Sequence, residues 1–159
     1  GNSSAANAVL CYNSNMVEQI LYRSLAPDVD LSLPLALYEE AGWITTAEKE
    51  RETVSAILKG SLLFLGAWKG EKLIGMGRAI SDGGSDAYIQ DVFVSAPYRN
   101  RGIGAGIVST LVQKLRERGI GWIGLIGVPG TERFYRELGF RPLEGHIPMR
   151  WEGGVHGKP

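Results

Sequence analysis

Arg99 and Arg101 stand two residues apart, and Gly102 and Gly104 follow at once. Two guanidinium groups beside a backbone nearly bare of side chains suit one task, gripping phosphate. Arginine offers charge-assisted donors in a planar fork. Glycine lets main-chain N–H groups approach a ligand without a Cβ clash. A pyrophosphate fits this donor set.

Such a loop needs rigid elements on both sides. Before it, Ala87 to Val94 is rich in aromatic and β-branched residues and reads as a strand that Pro97 stops. After it, Ile103, Ile107, Val108, Leu111, Val112 and Leu115 recur at three and four residues, the stripe of an amphipathic helix that Gly119 closes. The helix N-terminus then aims its first N–H groups and the positive end of its dipole at the same anion. Gly102, Gly104 and Gly106 also hint at a dinucleotide fingerprint. That fingerprint should follow its strand directly, with an acidic residue roughly 20 residues on, where this chain has Trp122. No Gly-Lys-Ser/Thr follows, which excludes a P-loop. A Gly-rich turn with solvated arginines is the simplest alternative.

The chain has 159 residues, a length expected for one domain with a substantial core. Seventeen Lys+Arg balance seventeen Asp+Glu, which argues against broad nucleic-acid or membrane-surface binding. Cys11 is the single cysteine, so no intramolecular disulfide can form, and a cytoplasmic protein is expected. Residues 1–15 read as a flexible extension, with a short edge strand at 8–12 as an option, and residues 152–159 read as a flexible tail. Between them, Val17 to Arg23 is expected as the first strand. Helices are expected over Leu33 to Ala41, capped by Asp30 or Ser32, and from Thr45 or Thr46 to Gly60. Leu62 to Trp68 and Leu73 to Ile80 form a hairpin about Lys69-Gly70-Glu71-Lys72, and Tyr88 to Val94 extends the meander. Ile120 to Val128 follows as a crossover strand parallel to Tyr88–Val94. A short helix from Thr131 to Leu138 and a last strand from Phe140 to Trp151, broken by Pro142 and Pro148, complete the order. His146 and His156 are too isolated for a metal site, and none is expected.

The loop Arg99-Asn100-Arg101-Gly102-Ile103-Gly104, with Phe134-Tyr135-Arg136-Glu137-Leu138-Gly139-Phe140 after a further strand, resembles the two signature motifs of the Gcn5-related N-acetyltransferase (GNAT) family. The resemblance covers roughly residues 17 to 151. It implies a single-domain α/β (α+β) fold over residues 16–151. The sheet is mixed and mostly antiparallel, with a central splayed parallel strand pair and flanking helices. It implies acetyl transfer from acetyl-coenzyme A, as co-substrate, to a primary amine of a small molecule or peptide, directly and without a metal. Nucleic acid and membrane are not expected as partners, and a homodimer is a family-level expectation.

The same resemblance assigns roles. Phe93 and Val94 supply backbone polarity to the thioester, and Arg99, Asn100, Arg101, Gly102, Ile103 and Gly104 hold the pyrophosphate. The glycines of 120–128 leave room for the pantetheine arm. Tyr135 is the candidate acid for the departing thiolate. Family members that carry a base on the strand place it nine or eleven residues before the first motif. Those positions are Gln90 and Tyr88 here, and neither is a convincing base. Asp91 should point to the opposite face unless a bulge re-aims it. A water-mediated route ending on Glu39 or Glu40, or an amine that arrives already neutral, is expected instead. Tyr38, Trp43, Tyr88 and Gln90 are candidate acceptor contacts; the simpler reading of the helix residues is a solvated face and a core aromatic. A non-catalytic acetyl-coenzyme A sensor, or an enzyme using another short acyl-coenzyme A, would share these features.

Overall fold

The computed structural model describes residues 19–45 and 47–153. The edge strand at 8–12, Cys11, Val17, Thr46 and His156 lie outside them. The chain forms two compact units, Gly1–Leu125 and Ile126–Pro159.

The first unit holds β1 (Ile20–Ser24), α1 (Ser32–Glu40), α2 (Ala47–Gly60), β2 (Leu63–Lys69), β3 (Lys72–Ile80), β4 (Asp86–Val94), α3 (Ile103–Glu117) and β5 (Trp122–Gly124). The strands lie in sequence order in one sheet. The first four pair antiparallel, and β5 pairs parallel to β4. This is the expected meander followed by a helical crossover. Asp30 helps start α1, its Oδ1 accepting the Ser32 N–H at 3.0 Å. Pro34 falls in the first turn of α1, where a missing N–H costs nothing.

Two apolar layers sandwich the sheet. On one face Leu35, Leu37 and Tyr38 of α1 and Val54 and Leu58 of α2 join Phe64, Trp68, Leu73 and Met76 in one buried cluster. Strand residues alternate faces, so Gly77 turns the other way, and a Cβ there would come within 2.7 Å of Ile107. That face carries α3, whose Ile103, Ile107, Val108, Leu111 and Leu115 are all buried. The stripe read from the sequence is the buried stripe, apart from half-buried Val112. Gly106 serves packing: Tyr22 of β1 lies where its Cβ would stand. This accounts for the third glycine of the apparent fingerprint without a ligand.

Two strand expectations need correction. The crossover strand spans Trp122–Gly124 rather than 120–128. Its glycine at 124 is covered by the ring of Trp122, two residues earlier, which lies where a Cβ would stand. The second unit contains α4 (Glu132–Glu137), and no strand is formed from Phe140 to Trp151. Pro142 and Pro148 remove ladder donors from that run, and Ile147, Met149 and Trp151 are exposed. Among the described residues no helix is long and apolar enough to cross a membrane.

Candidate active site

β4 and β5 stay paired only from Asp86↔Trp122 to Tyr88↔Gly124, while β4 runs on to Val94. From Ile89 onward, one edge of β4 has no strand beside it among the described residues. The hydrogen bonds of the other edge show what this edge offers. Ser95 N–H donates to Ile74 O on β3 at 2.8 Å. Donors alternate sides along a strand, so the Val94 N–H points toward the edge that β5 has left. The Val94 carbonyl shares that side and accepts a bond from Arg99 Nε at 2.9 Å.

A single 3-10 turn at Ala96–Tyr98, with Pro97 fixing its start, leads into the loop. Asn100 and Gly102 both have positive φ, +62° and +77°. Asparagine tolerates that region better than most residues, and glycine is unstrained there. These two reversals turn the chain into α3. Buried Ile103 anchors the helix, and its first intrahelical bond runs from Gly106 N–H to Gly102 O at 3.0 Å. The N–H groups of Ile103, Gly104 and Ala105 therefore precede the hydrogen-bonded helix and point out of its end. Arg99 lies over the Phe93 ring at 5.2 Å, and Arg101 lies over Tyr98 at 5.9 Å. The structure thus brings the whole of Arg99–Gly104 together with Phe93 and Val94.

The acceptor-side candidates gather on the α1 face. Asp91 has φ +55°, and the β3–β4 register slips between Met76↔Phe93 and Arg78↔Gln90. This is a bulge, and it re-aims the carboxylate. Asp91 Oδ2 accepts Arg78 Nε at 2.6 Å and the Tyr38 hydroxyl at 2.7 Å. Arg78 also donates to Gln90 Oε1 at 3.0 Å. Both bonds to Asp91 fall on Oδ2, and its side chain keeps 22% exposure. Burial, then the neighbouring carboxylate, pushes the Tyr38 phenol far above its ordinary range. Trp43 stacks edge-on against both Tyr38 and Phe93 and stays 49% exposed. Tyr38, Trp43, Phe93, Gln90 and Asp91 therefore form one polar-aromatic wall.

Other candidates stand apart from this wall. Glu40 accepts from Ser95 Oγ at 3.0 Å and from Ala96 N–H at 3.2 Å, tying α1 to the mouth of the loop. Glu39 is exposed, and its carboxylate makes no ion pair among the described residues. Tyr88 sits at the last paired position of β4 and β5. Tyr135 lies in the second unit, half-buried and edge-on to Phe134 and Phe140. Burial raises its phenol above the usual value. No metal-ligating cluster occurs among the described residues.

Sequence reasoning missed Arg78. A lone cation within the apolar run Leu73–Ile80 was the available signal, because a charge there needs a partner.

Comparison with known proteins agrees with this geometry. The family model "Acetyltransferase (GNAT) family" matches residues 29–140. The chain is 33% identical over 147 residues to "Histone acetyltransferase TAP1" of Glycine max, covering 85% of this chain but only 62% of that relative. It is 31% identical over 136 residues to "Uncharacterized N-acetyltransferase ycf52" of Pyropia yezoensis, covering 82% of this chain and 76% of that one. A GNAT family acetyltransferase from Streptococcus pneumoniae TIGR4 superposes with a TM-score of 0.68 at 26% identity, over 84% of this chain and 96% of the other. A splayed strand pair, an arginine-glycine loop at a helix start and a family match over most of the chain converge: this protein belongs to the GNAT acetyltransferase family.

Proposed function

We propose that the protein transfers an acetyl group from acetyl-coenzyme A directly to a primary amine of a small molecule or peptide. The observation that carries this reading is the open edge of β4, where the Val94 N–H stands beside the Arg99–Gly104 loop.

Acetyl-coenzyme A, when bound, supplies the activated thioester. Arg101 and the N–H groups of Ile103, Gly104 and Ala105 form the donor set for its pyrophosphate. Arg99, turned back onto Val94 O and Phe93, braces the end of the strand. The Val94 N–H provides a fixed donor for the thioester oxygen as charge builds there, with no reorganisation.

The acceptor must lose a proton before it attacks, because a lysine-like amine has a pKa of about 10.4. Asp91 is the better candidate to orient and relieve that amine. Its Oδ2 is held by Arg78 and Tyr38, which leaves Oδ1 to take the amine's hydrogen bond. Glu40 is engaged at the loop mouth, so it replaces neither Asp91 nor a water chain. Tyr135, a phenol protonated at neutral pH and raised further by burial, is the proposed acid for the departing thiolate.

The test is release of free coenzyme A thiol from acetyl-coenzyme A with a panel of primary amines. The reading predicts turnover that requires an amine and rises as the amine deprotonates. Binding of acetyl-coenzyme A with no amine-dependent turnover would instead identify a sensor module.

A further inference from the structure

Arg78 lies directly opposite Gln90 in the β3–β4 register, so their side chains share a face of the sheet. Asp91, the next residue, would face the other way on a regular strand, and its bulge brings it round to the same face. Two consecutive residues of β4 therefore reach one guanidinium. Asp91 Oδ2 accepts from Nε at 2.6 Å, and Gln90 Oε1 accepts from Nη2 at 3.0 Å. Nε and Nη2 form a single edge of the planar group, so the two oxygens stand side by side. The third nitrogen, Nη1, donates to Ser61 Oγ at 3.4 Å, and that hydroxyl donates in turn to Ile57 O of α2 at 2.6 Å.

This shared edge decides the polarity of Gln90. A guanidinium offers N–H donors and no acceptor, so only the oxygen of an amide can face it. The Nε2 group of Gln90 is thereby turned away from Arg78 as a donor. Asp91 is sorted in the same way: Oδ2 also accepts from the Tyr38 hydroxyl at 2.7 Å, which leaves Oδ1. The Arg78 side chain keeps 13% exposure and Asp91 keeps 22%, so the cation stands behind the groups it orients. The wall thus offers an acceptor, Asp91 Oδ1, next to a donor, Gln90 Nε2.

We propose that Arg78 is a positioning residue that fixes this donor, and that Gln90 Nε2 selects primary amines bearing an oxygen on the second carbon from nitrogen, as in an amino alcohol, an amino ether or an α-amino amide. The proposal rests on the amine-acetylation reading above. Asp91 Oδ1 accepts from the amine, and Gln90 Nε2 donates to the oxygen. An amine with a methylene in place of that oxygen takes water from Gln90 and returns no hydrogen bond, so it is disfavoured.

The test compares methoxyethylamine with butylamine, which differ by one oxygen in place of a methylene, as acceptors for acetyl-coenzyme A. The readout is the ratio of their kcat/KM values in wild type, Gln90→Leu and Arg78→Lys. The two amines differ in basicity, but equally for every protein, and loss of folded protein lowers both rates alike, so neither effect moves the change in ratio. Gln90→Leu is expected to lower the methoxyethylamine-to-butylamine ratio by about fivefold, the scale of one hydrogen bond. Arg78→Lys is expected to lower it similarly, because an ammonium can pair with Asp91 but has no planar edge to hold both oxygens, and the Gln90 amide is freed to turn. An unchanged ratio in Gln90→Leu would overturn the inference. A ratio that falls in Gln90→Leu but not in Arg78→Lys would overturn the part given to Arg78. Wild type that acetylates other primary amines but neither of these would overturn the inference and leave the acetyl-transfer reading standing. Turnover of no primary amine would overturn both.

Discussion

On the function proposed above, Asp91 concentrates the chemistry of the acceptor side in one side chain. It is a non-glycine residue with φ +55° on a strand, a conformation that persists only where its surroundings hold it. Arg78 and Tyr38 do so through Oδ2. Asp91→Asn keeps a residue that tolerates positive φ but removes the charge. We expect the amine KM to rise roughly tenfold, the scale of one lost charge-assisted bond, with acetyl-coenzyme A affinity nearly unchanged. Steady-state kinetics varied separately in each substrate checks this. Tyr38→Phe leaves Asp91 one donor short and should lower unfolding free energy by about 1–3 kcal/mol in denaturant titrations. The pH sign follows from the raised phenol. Between the ordinary tyrosine value of about 10 and the higher native one, the folded state binds a proton that the unfolded state has lost. Stability present below pH about 10 is therefore lost as pH rises further, and Tyr38→Phe should remove part of that alkaline loss. The sequence named Asp91 and, by strand alternation, set it on the opposite face unless a bulge re-aimed it, and a bulge is there. Alternation assumes a regular pleat, and nothing in Tyr88–Val94 marks the bulge. Its cause lies in Arg78 and Tyr38, distant in sequence.

At the scale of elements, the unit from β4 to α3 was legible because its signals are local. Aromatic and β-branched residues make the strand, Pro97 ends it, Gly102 permits the turn, and the apolar stripe places the helix. Gly102→Ala is expected to destabilise the protein by about 1 kcal/mol, since alanine is strained at φ +77°. The open space at that position leaves backbone strain as the cause. The same change should weaken acetyl-coenzyme A binding by disturbing the helix end, and paired melting and titration measurements separate the two effects. The C-terminal strand was misread because an apolar run resembles a strand even where its prolines deny the ladder. The short β5 was overextended for a related reason. Its residues suit a strand, but only the neighbour decides where pairing stops, and the pairing stops at Gly124.

For the whole molecule, two motifs were enough to place the chain in the GNAT family, while the polar-aromatic wall proposed to meet the acceptor was not readable as a wall. Tyr38, Trp43, Gln90 and Asp91 come from α1, the connection after it and β4, and only folding joins them. The central claim is direct acetyl transfer at the open edge of β4. Its most direct test is a single turnover of the wild-type protein with acetyl-coenzyme A and an accepted amine, followed by mass spectrometry of amine and intact protein. The account predicts an acetylated amine in step with thiol release and a protein of unchanged mass throughout. An acetylated protein that forms without amine and then passes its acetyl group on would contradict it.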